Sequence, residues 1–148
     1  MKLQKMITMR PKSIILIEDD LNLRQSIALI LQRAGYLVTA TDCVHKAMDI
    51  IKSGKYHLVI SDINMSEIFN VLLPKVLANH PETSIVILTD QAIPEIDKKD
   101  KLPCAYFLEK PVAPERLLDC VAMVLVKQAT FNRNKEMKLL INQTGNKQ

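Results

Sequence analysis

In the stretch "YHLVISDINMS", residues 56–66, a run of strand-forming side chains ends abruptly on a carboxylate. The residues "HLVIS" (57–61) form a short, mostly apolar run, which is typical of a strand buried on both faces of a sheet. Asp62 follows directly. Because an unpaired charge is costly to bury, we expect Asp62 to lie where this strand leaves the core.

Four further apolar runs have the same character and length. They are "SIILI" at 13–17, "YLVTA" at 36–40, "SIVILT" at 84–89 and "AYFLE" at 105–109. Segments with helical spacing of apolar residues lie between them, and this alternation is typical of a parallel sheet covered by helices. The predicted fold class is therefore α/β, with a five-stranded parallel sheet and helices on both faces.

Five helices are predicted in the connecting segments. The first carries Leu23, Ile27 and Leu31 on its inner face, and Gly35 closes it as a C-terminal cap. The third is interrupted by Pro74, which predicts a kink or a late start. The remaining predictions are helices at about 44–53, 67–78, 94–100 and 113–127.

The termini are predicted to lie outside the folded unit. We expect residues 1–11 to form an extension, residues 12–127 the domain, and residues 128–148 a tail or the start of a linker. A frayed tail is the favoured interpretation, because chain ends are commonly poorly ordered. The alternative is that the apolar cluster at 137–141 extends the last helix or contacts a partner.

Composition narrows the class of protein. The 148 residues are 48% hydrophobic and 24% charged, which fits one folded domain. No apolar stretch approaches the roughly 20 residues that cross a bilayer, so we predict a cytoplasmic protein without membrane contact. The net charge of +4 is spread along the chain, which favours a solvated surface over a nucleic-acid footprint.

Three cysteines are present without paired or metal-ligand spacing. Cys43, Cys104 and Cys120 are an odd number, and none belongs to a Cys-x-x-Cys motif. Buried or half-buried free thiols are the favoured interpretation.

Polar residues follow the apolar runs at the carboxyl ends of four predicted strands. Glu18-Asp19-Asp20 follow the first, Asp62 the third, Thr89 ends the fourth, and Lys110 follows the fifth. Each alone has an ordinary interpretation: a helix cap, a turn, a strand end or a solvated lysine. The carboxyl ends of parallel strands share one edge of a sheet, where ligands bind. Together these residues therefore predict a site.

The residue types in this set suit phosphoryl transfer. Clustered carboxylates need a counter-charge, and their oxygens are ligands for a hard divalent cation such as Mg²⁺. The cation would keep Asp62 ionised as a nucleophile and neutralise charge on the transferred group. The hydroxyl of Thr89 and the ammonium of Lys110 would contact the remaining phosphoryl oxygens.

The four segments "ILIEDDLNLR", "SDINM", "IVILTD" and "YFLEKP" resemble the receiver domain of bacterial two-component response regulators, over residues 12–127. This CheY-like family implies a doubly wound, flavodoxin-like sheet of order 2-1-3-4-5. It also implies that Asp62 accepts a phosphoryl group from a sensor histidine kinase or a phosphotransfer protein. Beyond its own phosphorylation and dephosphorylation, such a domain is not expected to be an enzyme.

The resemblance implies a Mg²⁺ site and a switch. Asp19, Asp62 and the backbone carbonyl of Asn64 would hold the metal, with Glu18 nearby or acting through a water molecule. Thr89 would sense the phosphoryl group.

Three more residues are given roles by the resemblance. Lys110 would contact the phosphoryl group together with the threonine hydroxyl, and Phe107 matches the aromatic switch position. The bond between Lys110 and Pro111 is expected to be cis.

The chain departs from the family pattern at several positions. Ser66 and Asn70 stand where receivers usually have Pro and Gly, and Asp90 replaces a small residue beside the phosphoryl site. A carboxylate there would repel a phosphoryl group unless it faces solvent or pairs with a lysine such as Lys98. Pro103-Cys104 replace the usual Gly-Ala before the fifth strand.

The last departure affects the surface of the predicted fourth helix, fifth strand and fifth helix. Many receivers signal or form homodimers through this surface. The prediction that this chain does so rests only on its resemblance to the family. Nucleic acid would be contacted only through an output domain outside this chain.

Two alternative functions follow from the departures. A receiver-fold interaction module would act without phosphorylation, which Asp90, Ser66 and Asn70 motivate. A metal-dependent phosphatase is disfavoured, because the position two residues after the nucleophile, where an acid is needed, is Asn64.

Overall fold

The computed structural model describes residues 10–54, 56–62, 73–79, 82–90 and 105–145. Within these ranges, five strands and four helices are arranged as an α/β unit. The strands are β1 (Ser13–Ile17), β2 (Leu37–Thr41), β3 (Leu58–Asp62), β4 (Ser84–Thr89) and β5 (Ala105–Glu109). The helices are α1 (Leu21–Arg33), α2 (Val44–Ser53), α3 (Leu73–Asn79) and α4 (Pro114–Gly145).

The sheet is entirely parallel and has the order β2-β1-β3-β4-β5, which confirms the predicted topology. β3 pairs with β1 on one side and with β4 on the other, so it is the central strand. In this register Ile17 lies opposite Ser61, and Asp62 lies opposite Leu88. The carboxyl ends of β1, β3 and β4 therefore meet at one edge of the sheet.

The strands are buried because alternate side chains fill two separate apolar layers. One layer joins Ile14, Leu16 and Ile60 to residues of α1 and α4. The other joins Ile15 and Ile87, among others, to α2 and α3. Fully buried strand residues of this kind stabilise the fold by about 2 kcal/mol each through burial of apolar area. The rigid sheet edge that results positions the polar residues.

α1 begins and ends as its sequence predicts. The side chain of Asp20 accepts a hydrogen bond from the backbone N–H of Leu23 at 2.8 Å, so Asp20 is the N-cap. Gly35 has φ of 97°. The N–H groups of Gly35 and Tyr36 donate to the carbonyls of Gln32 and Leu31 at 3.0 and 3.1 Å, which is a Schellman motif.

Several predicted boundaries and faces need small corrections. β2 and β3 each lie one residue later than predicted, because their hydrogen-bonded ladders include Thr41 and Asp62. Ile27 and Leu31 are buried on the inner face of α1, but Leu23 is 37% exposed because it lies in the first turn, beyond the sheet edge. α2 has the predicted bounds.

The last helix corrects the prediction of a frayed tail. α4 continues without a break to Gly145, so the alternative in which the apolar cluster extends the helix is confirmed. The Gln128 side-chain amide links this helix to the sheet by hydrogen bonds: it donates to the His57 carbonyl at 2.7 Å and to the Glu82 carbonyl. A third contact, at 3.3 Å, reaches the Ser84 hydroxyl. Packing against the sheet therefore includes a residue just beyond the predicted boundary at 127.

Some predictions fall on residues that the structure does not describe. These are the first part of the third helix (67–72), the helix at 94–100, and the single residues Asn64, Ser66, Asn70, Lys98, Pro103 and Cys104. The other two cysteines, Cys43 and Cys120, are free and half-buried, as predicted. In the described ranges, no helix combines the length and hydropathy that a membrane-spanning segment needs.

Candidate functional site

Three carboxylates meet at the carboxyl edge of the sheet. Glu18 and Asp19 follow β1, and Asp62 is the last residue of β3. One carboxylate oxygen of each lies within 4.8 Å of the others, although the residues come from distant parts of the sequence. The predicted acidic cluster is therefore assembled by the pairing of β1 with β3.

Glu18 is the buried member of this cluster, with 1% of its surface exposed. Its Oε1 accepts a hydrogen bond from the backbone N–H of Asp20 at 3.1 Å. Its Oε2 is buried and receives no hydrogen bond from the described residues, and it forms an ion pair with the Nζ of Lys110 at 3.8 Å. The Glu18 carbonyl accepts from Nη1 of Arg24 at 2.7 Å. The backbone and one oxygen are held in place, while the second oxygen is left available to a ligand.

The environment of Glu18 raises its pKa to about 7, from an ordinary value of 4.5. Burial is the main cause, because it disfavours the charged form. The backbone N–H of Asp20 acts in the opposite direction, and the neighbouring carboxyls of Asp62 and Asp19 raise the pKa further. A cation bound between these groups would oppose that rise in pKa, because a nearby positive charge favours the ionised carboxylate.

Lys110 supplies a positive charge to the cluster. Its Nζ forms an ion pair with Oδ1 of Asp62, and its side chain is 15% exposed. Its backbone N–H donates to the Thr89 carbonyl at 2.7 Å, which ties the end of β5 to the end of β4. The peptide bond between Lys110 and Pro111 is cis, as the family resemblance implied. Lys110 is thus held beside the predicted nucleophile.

Thr89 and Phe107 lie on the same side of the site, on β4 and β5. Thr89 is the last residue of β4 and is 2% exposed. Phe107 lies opposite Ile87 in the β4–β5 ladder and is half-buried against the α2 layer. The two residues predicted to form the switch therefore lie on adjacent strands that pair with each other.

The donor set fits a small divalent cation. Among the described residues of the cluster, three carboxylates lie beside the ammonium of Lys110, so carboxylates outnumber ammonium groups. Oε2 of Glu18, which has no hydrogen-bond donor, is a hard oxygen ligand. Asp19 is exposed and Asp62 is partly exposed, which leaves room for the water ligands that Mg²⁺ retains. The predicted ligand Asn64 lies outside the described residues.

A groove of about 520 Å³ adjoins the site on the α1 side of the sheet. Most of its lining is apolar and includes Ile27 and Ile30 of α1 and Leu117 of α4, and Asp90 and Lys110 also contribute. Asp90 is exposed, which is the first of the two arrangements expected to reduce its repulsion of a phosphoryl group; the second, a pair with Lys98, lies outside the described residues.

One residue of the site was not found from the sequence. Arg24 lies one turn into α1 and donates to the Glu18 carbonyl, which fixes the backbone of the acidic turn. An arginine on the first turn of an amphipathic helix is common, so nothing in the sequence distinguished it. The predicted residues Glu18, Asp19, Asp62 and Lys110 are all brought together.

Comparison with known proteins agrees with this geometry. The profile of the family described as response regulator receiver domain matches residues 14–122. The chain is 31% identical over 106 residues to the transcriptional regulatory protein FixJ of Bradyrhizobium diazoefficiens, covering 70% of this chain and 52% of FixJ. It is 29% identical over 111 residues to the response regulator protein FleR of Pseudomonas aeruginosa, covering 74% and 24%. The chain thus spans about half or less of the length of these relatives.

Solved structures show the same fold. The chemotaxis response regulator CheY4 of Vibrio cholerae superposes with a TM-score of 0.69 and 27% identity, over 78% of this chain and 99% of CheY4. NtrX of Brucella abortus superposes with a TM-score of 0.75 and 22% identity, over 86% of this chain and 30% of NtrX.

Proposed function

Because the chain belongs to the response regulator receiver domain family, we propose that Asp62 is its phospho-acceptor and takes a phosphoryl group from a phosphohistidine. The observation that carries this proposal is the convergence of Asp62, Glu18, Asp19 and Lys110 at the carboxyl edge of the sheet. The donor would be a sensor histidine kinase or a phosphotransfer protein.

The transfer is a displacement at phosphorus. An Oδ of Asp62 attacks the phosphorus, the bond from phosphorus to the donor imidazole nitrogen breaks, and the imidazole leaves with its electron pair. Lys110, already paired with Asp62, would move its ammonium to a phosphoryl oxygen as negative charge passes to the new group. The product is an aspartyl phosphate on Asp62.

The residues that would hold Mg²⁺ are Asp19, Asp62 and the Asn64 carbonyl, with Glu18 beside them. Bound there, the cation would neutralise charge on the phosphoryl oxygens and on the crowded carboxylates. Glu18 would help through its Oε2, which has no hydrogen-bond donor, directly or through water. This assignment rests on the donor set and on the family resemblance.

The readout of the phosphorylated state is proposed for the neighbouring strands. Thr89 would turn toward the phosphoryl group, and Phe107 would follow into the vacated space. That movement would alter the surface around β5 and α4, where an output partner or a second copy would bind. A cytoplasmic location and domain limits of 12–127 stay predictions.

The test is phosphorylation by a small donor. With acetyl phosphate and Mg²⁺, we expect a mass gain of ~80 Da, one phosphoryl group, in the wild type. Asp62→Asn should show none. The matched control is Asp20→Asn, which makes the same chemical change two residues from Glu18 and keeps a good N-cap. No adduct on the wild type, or an equal adduct on Asp62→Asn, would show the proposal to be wrong.

The alternative is an interaction module of the same fold that acts without phosphorylation. Asp90 favours it, because a carboxylate stands directly after Thr89 at the edge of the site. In that case a partner would bind Asp62→Ala and the wild type with equal affinity, whether or not the phosphodonor is present.

A further inference from the structure

The last helix carries an apolar stripe that faces away from its own domain. Within α4, the buried residues are Leu117, Val121, Val124 and Leu125, and none of the described residues after Leu125 is buried. Large apolar side chains nevertheless continue to the end of the helix. Four exposed ones form the stripe: Met123 by 43%, Val126 by 66%, Met137 by 56% and Leu140 by 59%. Phe131, Leu139 and Ile141 are also exposed but are not part of it.

These residues follow a heptad pattern. The stripe residues are spaced alternately by three and four positions, as a and d residues are in a coiled coil. They are Met123, Val126, Thr130, Arg133, Met137 and Leu140.

The stripe is also accessible to a second helix. At about 100° per residue, its mean direction lies roughly 165° from that of the buried residues, on the opposite side of the helix axis. A helix packed on the stripe would therefore not meet the body of the domain to which α4 belongs.

We infer that the stripe packs antiparallel against the same stripe of a second copy of this chain. In the antiparallel register, Met123 meets Leu140 of the second copy and Val126 meets Met137, so each large apolar residue is covered by another. The one charged residue of the series, Arg133, meets Thr130. A parallel pair would instead place the two Arg133 side chains against each other, which like-charge repulsion disfavours.

The flanking residues agree with this arrangement. Lys135 and Lys138 lie away from the stripe and would stay in water. Beside the stripe, Lys127 would face Asn134 of the second copy, and Ala129 would face Glu136, so no like charges are opposed. The two helices would overlap from about residue 118 to residue 145, a contact of about 42 Å. This interface differs from the one predicted around β5, and it does not depend on phosphorylation.

Two adjacent leucines provide a matched test of the interface. Leu140 belongs to the stripe, whereas Leu139 is similarly exposed (54%) but points elsewhere. Sedimentation equilibrium of the full chain should show a dimer whose dissociation constant rises at least about tenfold in Leu140→Glu, because the contact of Leu140 with Met123 occurs twice in the symmetric dimer and each would receive a buried carboxylate. Leu139→Glu should leave it unchanged. Circular dichroism checks that both variants keep the wild-type helix content.

Disulfide cross-linking tests the orientation. Val126→Cys and Met137→Cys, mixed and oxidised, should give a dimer cross-linked between positions 126 and 137, above the background of the wild type. A wild type that is monomeric at high micromolar concentration, or equal effects of the two leucine variants, would contradict the interface. Cross-linking of Met137→Cys to itself would contradict the antiparallel register.

Discussion

Glu18 is the residue whose environment says most about the site. A glutamate with 1% exposure and one oxygen without a hydrogen-bond donor is costly to bury in its charged form, and its neighbours are two further carboxyls. Such a group lowers stability in the metal-free protein. The loss of stability is small where a bound cation, or a lysine ammonium that moves closer, neutralises the carboxylate.

This environment predicts a pH dependence of stability in the metal-free protein. Because the pKa of Glu18 is raised from 4.5 to about 7, the folded state binds more protons than the unfolded state between these values. The contribution of Glu18 to the free energy of unfolding therefore falls as pH rises through this window, by up to about 3 kcal/mol. Glu18→Gln keeps an acceptor for the Asp20 N–H and should remove this fall.

The measurement is urea unfolding between pH 4.5 and 8 without divalent cations, for the wild type, Glu18→Gln and the control Glu115→Gln. Glu115 is an exposed residue in the first turn of α4. If the wild type and Glu18→Gln show the same pH slope, Glu18 is not the titrating group.

For the helices and strands, local sequence patterns predicted the core of the fold well. Apolar runs gave β1, β4 and β5 their observed bounds, and Gly35 gave the end of α1. The prediction of a frayed tail is wrong, because it rests only on the polar composition of the segment and on its place at the end of the chain. In the structure, the helix continues through Gln128, whose amide hydrogen bonds depend on residues 44 or more positions earlier in the chain. Sequence spacing alone does not show such contacts.

The glycine that ends α1 is expected to contribute to the stability of the fold. Gly35 has φ of 97°, so Gly35→Ala should lower the free energy of unfolding by about 1–2 kcal/mol, the cost of a side chain in the left-handed region. No steric clash contributes, since an added Cβ would meet nothing within 4 Å. Gly145→Ala, at the end of α4 and equally open, is the control and should be neutral or slightly stabilising. Equal effects in thermal or urea unfolding would contradict this account.

For the whole molecule, the parallel topology explains why the site could be predicted before its geometry was known. Residues after β1, β3 and β5 are far apart in sequence, yet strand order brings Glu18, Asp19, Asp62 and Lys110 together. The sequence does not predict which charged groups of the site are buried and which contacts they make. The burial of Glu18 and the contact of Arg24 with its carbonyl depend on how α1 packs over the edge of the sheet.

Asp62 is one carboxylate among several neighbours at the site, and it is proposed as the phospho-acceptor. Hydride reduction of an acyl phosphate releases phosphate and leaves an alcohol in place of the carboxylate, so peptide mass mapping after such trapping identifies the modified residue. With acetyl phosphate and Mg²⁺, the label is predicted at Asp62 alone and is lost when the metal is chelated. A label at Asp19 or Asp90, or the same label at Asp62 without metal, would contradict the account.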